Sequence, residues 1–318
     1  MDISFVIPCY CSSKTIHSVI NEINETMHNK EQYRYEIILV NDNSKDDTWN
    51  IIKDLAVHDE HITAIDFAKN FGQPSALLAG FSVAKGDYIM TSDDDGQTPV
   101  GMVWDFMQKM EEGNDVVCVK YTERHRKSLF RSIGTGLNAM MSNYILEKPK
   151  DVYLSSFFMA KRFVIDEMVK YDNPYPYIAG LLLRTTSKIG YIETVQRERL
   201  SGSSGYNFKK LFHLWVNGFT AFSIKPLRIS IVLGFFSVLC SILFLMYVLI
   251  RKLLVPTTQM GYSSIMITIL FFSGIILCVL GMIGEYVGRI YMCINNEPQY
   301  VIREKYNKKG IKNAEDRN

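Results

Sequence analysis

Net charge is nearly absent from this chain. Over 318 residues, 35 lysines and arginines face 33 aspartates and glutamates, leaving a formal +2 at pH 7. Nucleic-acid binding requires a clustered basic surface to neutralise phosphates, so this balance argues against a nucleic-acid partner. Cysteine is scarce as well, at six residues. Cys9 and Cys11 form one close pair, but no second pair supplies the other ligands of a zinc site. Reduced, structural thiols are therefore expected. His17, His28, His58, His61, His125 and His213 show no metal-ligand spacing. Gly134-x-Gly136 lacks the third glycine and the preceding strand of a phosphate loop. No internal repeat or low-complexity tract is present. Met1-Asp2 runs straight into Ile3–Ile7 without a basic n-region or cleavage site, so no signal peptide is expected and the bulk of the chain should stay inside the cell.

Local absence of charge is the first positive signal. No charged residue occurs from Ile229 to Ile250, nor from Leu253 to Gly284. A helix of about 20 apolar residues crosses a hydrocarbon layer about 30 Å thick. Pro256 and Gly261 mark a turn, which places a second span near Ser263–Gly284. Lys209, Lys210, Lys225 and Arg228 precede the first span; Arg289, Arg303, Lys305, Lys308 and Lys309 follow the second; only Arg251 and Lys252 lie between. By the positive-inside rule both ends are cytoplasmic. Tyr206–Phe222 is aromatic on one face with lysines near its start, as in a helix lying in the bilayer interface. Gly281, Gly284 and Gly288 have the small-residue spacing by which spans pack closely, which admits a homo-oligomer. The tail from Lys308 to Asn318 is expected to be disordered.

The first 120 residues alternate short apolar runs with longer amphipathic ones, the pattern of a sheet covered by helices on both faces. Strands are predicted at Ile3–Pro8, Tyr35–Val40, Ile62–Asp66, Tyr88–Ser92 and Asp115–Val119. Helices are predicted near Thr15–His28, Asp46–Val57, Pro74–Ala84 and Val100–Glu111. Ligands of such sheets bind beyond the carboxyl ends of the strands. Polar clusters stand at three of those ends: Cys9–Ser13, Asn41–Asp47 and Asp93–Thr98. Past Tyr121 the alternation gives way to a basic stretch, a helix-like run from Leu129 to Ile145, an apolar segment near Tyr153–Met159 and the turn Asn173–Pro176. This half is expected to shape the acceptor side.

Asp93 and Asp95, at an i, i+2 spacing after a strand, can project the same way and share one hard divalent cation, with Gln97 adding a third oxygen. Such a pair alone is more often a solvated turn. Its place in an ordered series changes that. Val6-Ile7-Pro8-Cys9-Tyr10 comes first, then Ile38-Leu39-Val40-Asn41-Asp42-Asn43-Ser44, then Lys69-Asn70-Phe71-Gly72-Gln73. Gly86-Asp87-Tyr88-Ile89-Met90-Thr91-Ser92-Asp93-Asp94-Asp95-Gly96-Gln97 closes the series. Together these resemble family 2 glycosyltransferases. The narrower likeness is to the polyprenyl-phosphate group, similar to dolichol-phosphate mannose synthase and the bactoprenol glucosyltransferases. Arg199-Leu200-Ser201-Gly202-Ser203-Ser204-Gly205-Tyr206 resembles that group's Arg-x-x-Gly-x-Ser-Lys-Tyr motif. Lys225-Pro226-Leu227-Arg228 and Gly284-Glu285-Tyr286-Val287-Gly288-Arg289-Ile290-Tyr291 flank the spans as in its members.

The resemblance implies an α/β fold: a Rossmann-like GT-A domain over residues 1–205, an interfacial helix over 206–226, two transmembrane helices over 227–288 and a cytoplasmic tail over 289–318. It implies a multi-pass protein of the bacterial inner membrane that moves a sugar from a nucleotide-sugar, a UDP-sugar by expectation, to a polyprenyl phosphate with inversion, using Mg2+ or Mn2+. Pro8, Tyr10 and Asp42 would hold base and ribose, with Val40 and Ser12 nearby. Asp93 and Asp94 would line ribose and diphosphate, while Asp95 and Gln97, with Asp93 close by, would bind the metal. Lys120, Arg124, Arg131, Arg199, Ser204 and Tyr206 would face the phosphates of acceptor and donor. Cys11-Ser12 replaces the family's Asn-Glu, and Gly205 stands where the family has lysine. Ser155-Ser156-Phe157 occupies a segment where relatives carry an aspartate, which leaves Asp151 as the nearest candidate base. Two alternatives stay open: a processive polysaccharide synthase, suggested by Gln196-Arg197-Glu198-Arg199-Leu200, and a non-catalytic nucleotide-sugar-binding membrane scaffold.

Overall fold

The structure is a computed structural model that describes residues 2–122, 153–174, 176–195, 197, 262–295 and 297–307, with single positions between 234 and 254. The chain divides into two compact units, Met1–Leu211 with Glu297–Asn318, and Phe212–Asn296.

The first unit is one eight-stranded sheet with helices packed on it. In chain order its elements are β1 (Ile3–Cys9), α1 (Ile16–His28), β2 (Tyr35–Asn41), α2 (Thr48–His58), β3 (Ile62–Phe67), α3 (Gln73–Val83), β4 (Tyr88–Thr91), a 3-10 turn (Val100–Met102) and α4 (Val103–Glu111). They continue with β5 (Val116–Tyr121), β6 (Phe158–Lys161), α5 (Arg162–Val169), α6 (Ile178–Thr185), β7 (Ile189–Thr194) and finally β8 (Ile302–Asn307). The spatial order is β7-β5-β6-β4-β1-β2-β3-β8. β4, β1, β2 and β3 run parallel, β6 pairs antiparallel with both β4 and β5, and β8 closes the β3 edge antiparallel. All nine elements predicted in the first 120 residues form; eight keep their expected ends to within two residues, and the ninth opens at Val100 as the 3-10 turn ahead of α4.

The local chemistry explains the elements. β1 and β2 are fully buried runs rich in branched aliphatics, as strands covered on both faces must be. α1 buries Ile16, Val19, Ile20, Ile23 and Met27, one stripe at helical spacing. That stripe meets Phe5, Ile7, Ile37, Leu39, Val103 and Phe106 in the main core. On the opposite face α3 is buried from Ser75 to Phe81. Its Gly80 lies so close to β1 that an added Cβ would stand 2.3 Å from Val6 Cγ1.

β8 departs from the sequence reading, which places residues 302–307 in a cytoplasmic tail. The strand alternates Arg303 and Lys305 with Ile302, Glu304 and Tyr306, a weak apolar signal that β3 nonetheless pairs from Thr63 to Phe67. Its far side is held by Lys53, 3.5 Å from Glu304 and 4.2 Å over the Tyr306 ring. Sheet edges invite pairing with other chains, and β8 covers the one that β3 would expose.

In the second unit, α7 (Tyr262–Ile294) runs 33 residues, ten beyond the expected end at Gly284. Its stretch Phe271–Ile294, with mean hydropathy 1.8, is the single helix among the described residues long and apolar enough to cross a membrane. The expected first span lies largely outside the described residues; those described there, including Phe236, Leu243 and Tyr247, are helical and exposed. The predicted interfacial helix also lies outside the described residues.

The Gly86 that opens the last motif is fixed by packing. Its amide donates to Ser4 Oγ at 2.8 Å, and an added Cβ would stand 2.6 Å from the Ser4 backbone nitrogen. Backbone atoms yield little, so Gly86→Ala is expected to cost about 1 to 3 kcal/mol as overpacking. Denaturant unfolding checks this; an unchanged midpoint would remove this account of the glycine.

Candidate active site

The site is built at the carboxyl ends of β1, β2 and β4. Asp42 directly follows β2 and is buried, yet both its carboxylate oxygens are engaged. Oδ1 accepts the Phe71 amide at 2.7 Å and Oδ2 the Gly72 amide at 2.9 Å. Asn70 Nδ2 donates to the Asp42 carbonyl at 3.1 Å. Burial pushes the carboxyl of Asp42 up, and the two amides pull it back down. Gly72 holds φ +90°, a conformation glycine adopts without steric cost, and thereby turns both amides toward Asp42 just ahead of α3.

The turn after β1 is held by side chains of its neighbours. The Tyr10 amide donates to Asp94 Oδ2 at 2.9 Å, the Cys11 amide to Ser44 Oγ at 2.9 Å and the Ser12 amide to Thr48 Oγ1 at 2.8 Å. Tyr10 leaves its side chain half exposed, free to stack on a ligand. The Ser12 hydroxyl is buried near Asp94, close enough to favour its charged form, yet makes no hydrogen bond of good geometry among the described residues. Pro8 and Val40 are buried in paired register within β1 and β2, so they support Tyr10 and Asp42 from beneath.

The acidic segment follows β4. Asp93 Oδ1 accepts Gln73 Nε2 at 3.0 Å, Oδ2 accepts Ser156 Oγ at 3.4 Å, and its amide donates to Thr98 Oγ1 at 3.1 Å. Asp95 Oδ1 accepts the Gln97 amide at 3.0 Å, closing a turn with Gly96 at φ +75°. Burial first, and then the charges of Asp95 and Asp94, push the Asp93 carboxyl up to about 6. Burial, and then the charges of Asp93 and Asp95, push the Tyr121 hydroxyl up to about 12. Crowded carboxylates of this kind suit a cation. No three His, Cys, Asp or Glu side chains converge on a metal position among the described residues. Two carboxylates and a carboxamide fit Mg2+ or Mn2+ all the same, since such ions take hard oxygen ligands and share them with substrate phosphates.

Several of these contacts come from residues with no role assigned by their pattern or spacing. Gln73 lies inside the Lys69–Gln73 motif, so one short loop binds Asp42 through its amides and Asp93 through a side chain. Ser156 fills the position where an aspartate was sought. Gln97 Nε2 donates to the Arg197 carbonyl at 3.1 Å, and Arg197 is clamped on both oxygens of Glu22 at 2.9 and 3.0 Å. Glu22 had no motif to mark it. Lys120 on β5 is paired with Glu193 at 2.5 Å and lies over the rings of Tyr153 and Tyr191. Arg124, Arg131, Asp151, Arg199, Ser204 and Tyr206 lie outside the described residues.

This arrangement has known counterparts. The family model for glycosyl transferase family 2 matches residues 4–169. The chain belongs to that family, and its mixed sheet is of the GT-A type. It is 33% identical over 310 residues, covering 98% of this chain and 95% of the relative, to the uncharacterised glycosyltransferase YkcC of Bacillus subtilis strain 168. It is 31% identical over 306 residues to the prophage-derived bactoprenol glucosyl transferase of Shigella flexneri, covering 96% of this chain and 99% of that protein. Among solved structures, a glucosyl-3-phosphoglycerate synthase of Mycobacterium tuberculosis, crystallised with Mn2+, UDP-glucose and phosphoglyceric acid, shares the fold. The TM-score is 0.50 at 18% identity, over 68% of this chain and 76% of that one.

The raised Asp93 has a measurable cost. A carboxyl with a raised folded-state pKa stabilises the fold fully below its unfolded value and loses that contribution as pH rises through about 6. In chelator at pH 7.5, Asp93→Asn should therefore be more stable than wild type by up to about 3 kcal/mol. The gap should close as pH falls below 6. Thermal melts across pH test this, and a gap independent of pH would contradict it.

Proposed function

We propose that this chain is an inverting glycosyltransferase that moves a sugar from a nucleotide-sugar, of the UDP class, onto a polyprenyl phosphate such as undecaprenyl phosphate. The observation that carries the reading is similarity along almost the whole chain to proteins named as bactoprenol glucosyl transferases, extending far beyond the family domain. The ordered carboxylates at the strand ends supply the chemistry for it.

In this reading Tyr10 stacks on the base, Asp42 and Asp94 hold the base and ribose side, and the Lys69–Gln73 loop fixes their distance from Asp93. Asp93, Asp95 and Gln97 hold Mg2+ or Mn2+, which when bound neutralises the departing nucleoside diphosphate. Arg199 grips a phosphate. The acceptor is a phosphate monoester, largely ionised near neutral pH, so it needs little help from a base to attack the anomeric carbon. Ser156 in place of a carboxylate is consistent with that: the position serves to hold Asp93 rather than to take a proton. Two spans and an interfacial helix would keep the site at the cytoplasmic face of the bacterial inner membrane, where a lipid acceptor presents its phosphate. Long apolar α7 supports this placement.

The test is transfer from radiolabelled nucleotide-sugars to undecaprenyl phosphate in detergent or vesicles, with Mg2+ or Mn2+. Asp95→Ala is expected to abolish transfer, a loss of at least about a hundredfold, while membrane insertion stays intact. Full activity in that variant or in chelator would sink the metal assignment. Absence of lipid-linked product with every donor would sink the acceptor, and a long polymer would favour a processive synthase.

A further inference from the structure

β8 reaches the donor side of the site along a continuous chain of contacts. Arg303, the second residue of β8, donates from NH1 to Asp66 Oδ2 at 3.1 Å and from NH2 to the Ala68 carbonyl at 2.9 Å. Asp66 is almost fully buried at the end of β3, and its other oxygen accepts Asn41 Nδ2 at 2.7 Å. Asn41 Oδ1 in turn accepts the Ser44 amide at 3.2 Å, and Ser44 Oγ accepts the Cys11 amide at 2.9 Å. This chain of bonds ends on the two turns that flank Asp42 and Tyr10. Those turns are strained: Asn43 and Cys11 hold φ of +53° and +56°, where side chains other than glycine are uncommon. A second route runs beside it. Tyr300 stacks on Phe67 at 5.4 Å, Phe67 meets Phe71 edge-on at 5.6 Å, and the Phe71 amide holds Asp42.

We propose that Arg303 is a positioning residue for the nucleotide: through Asp66 and Asn41 it holds the Asn41–Ser44 and Tyr10–Ser12 turns in their donor-binding shape. Removing Arg303 leaves Asp66 as a buried charge without its cation, and Asn41 loses the fixed partner that sets its carboxamide plane. Among the described residues these contacts end on the turns flanking Asp42 and Tyr10, and none reaches Lys120. The effect should therefore fall on donor affinity alone. The inference rests on the donor reading above.

Equilibrium binding of UDP, GDP and CDP with Mg2+ to the full-length protein, followed by steady-state kinetics, tests it. Arg303→Ala is expected to raise the Kd of the nucleotide that wild type binds, and the donor KM, by about tenfold, since small misplacements in a site are costly. The acceptor KM and kcat should stay within about twofold of wild type, as expected when only ground-state binding is lost. Arg303→Lys, which keeps the charge beside Asp66, should recover most of the affinity. Lys53→Ala loosens β8 from α2 without touching Asp66, so it should lower the melting temperature and leave Kd unchanged. Should Arg303→Ala fail to accumulate, the pair Arg303→Ala with Asp66→Asn removes the buried charge as well. It should regain stability and still bind weakly. The inference is overturned if Arg303→Ala leaves Kd unchanged, if Lys53→Ala raises it equally, or if the paired variant binds as wild type. Failure of wild type to bind any nucleoside diphosphate would instead overturn the donor reading itself.

Discussion

Four carboxylates gather at the carboxyl ends of β2, β3 and β4, Asp42 and Asp66 buried and Asp93 and Asp94 half-buried, and the arrangement of the first unit answers to them. Asp42, Asp66, Asp93 and Asp94 are each pushed up by desolvation before any other cause. A buried carboxylate persists as a charged group only where donors or cations compensate for lost water. Asp42 has the Phe71 and Gly72 amides, Asp94 the Tyr10 amide, and Asp66 both Asn41 and Arg303. Asp93 is the least compensated, with Gln73 and a long contact to Ser156 set against two neighbouring charges. The residual negative charge is thus concentrated at one place, beside Asp95, which is where a divalent ion and a diphosphate would bring positive charge and phosphate oxygens together.

The Lys69–Gln73 loop shows how a motif and a geometry relate. Its residues stood out in the sequence because they recur in order with the others, but their work was not readable there. Two backbone amides and one side chain join Asp42 to Asp93, residues that follow separate strands. Backbone donors carry no residue signature beyond the glycine that turns them, so only Gly72 hinted at the role.

What was legible in the sequence follows the range of the interactions. The alternation of β1 through β5 with four helices was readable because each element buries a local periodic face, as α1 does with its five apolar residues. The polar clusters after β1, β2 and β4 were readable for the same reason, standing where the periodicity stops. β6 overlaps the end of the apolar segment expected at Tyr153–Met159, whereas β7 and β8 were not foreseen as strands. β7 and β8 are half exposed and poor in aliphatic residues, and what makes them strands is a partner far away in sequence. The clamp of Arg197 on Glu22 was hidden likewise, since its two members are far apart in the chain and neither sits in a period that a sequence reading can follow. The long helix α7 outran its expected end because Glu285 and Arg289 were read as a boundary, whereas an isolated charge does not stop a helix; only its surroundings change.

Because β8 is made after α7, the catalytic sheet is finished by the end of the chain rather than by its own domain. During synthesis β3 stands as an open edge, with Asp66 lacking its guanidinium, until everything through residue 307 has been made. Closing so long a loop is entropically slow, which makes this pairing a late folding event. The nascent first unit consequently holds Asp66 without Arg303 for as long as α7 is still being made. Completion of the sheet and synthesis of the helix are then a single sequence of events, and a fragment cut before α7 would lack a strand of the sheet as well as the helix.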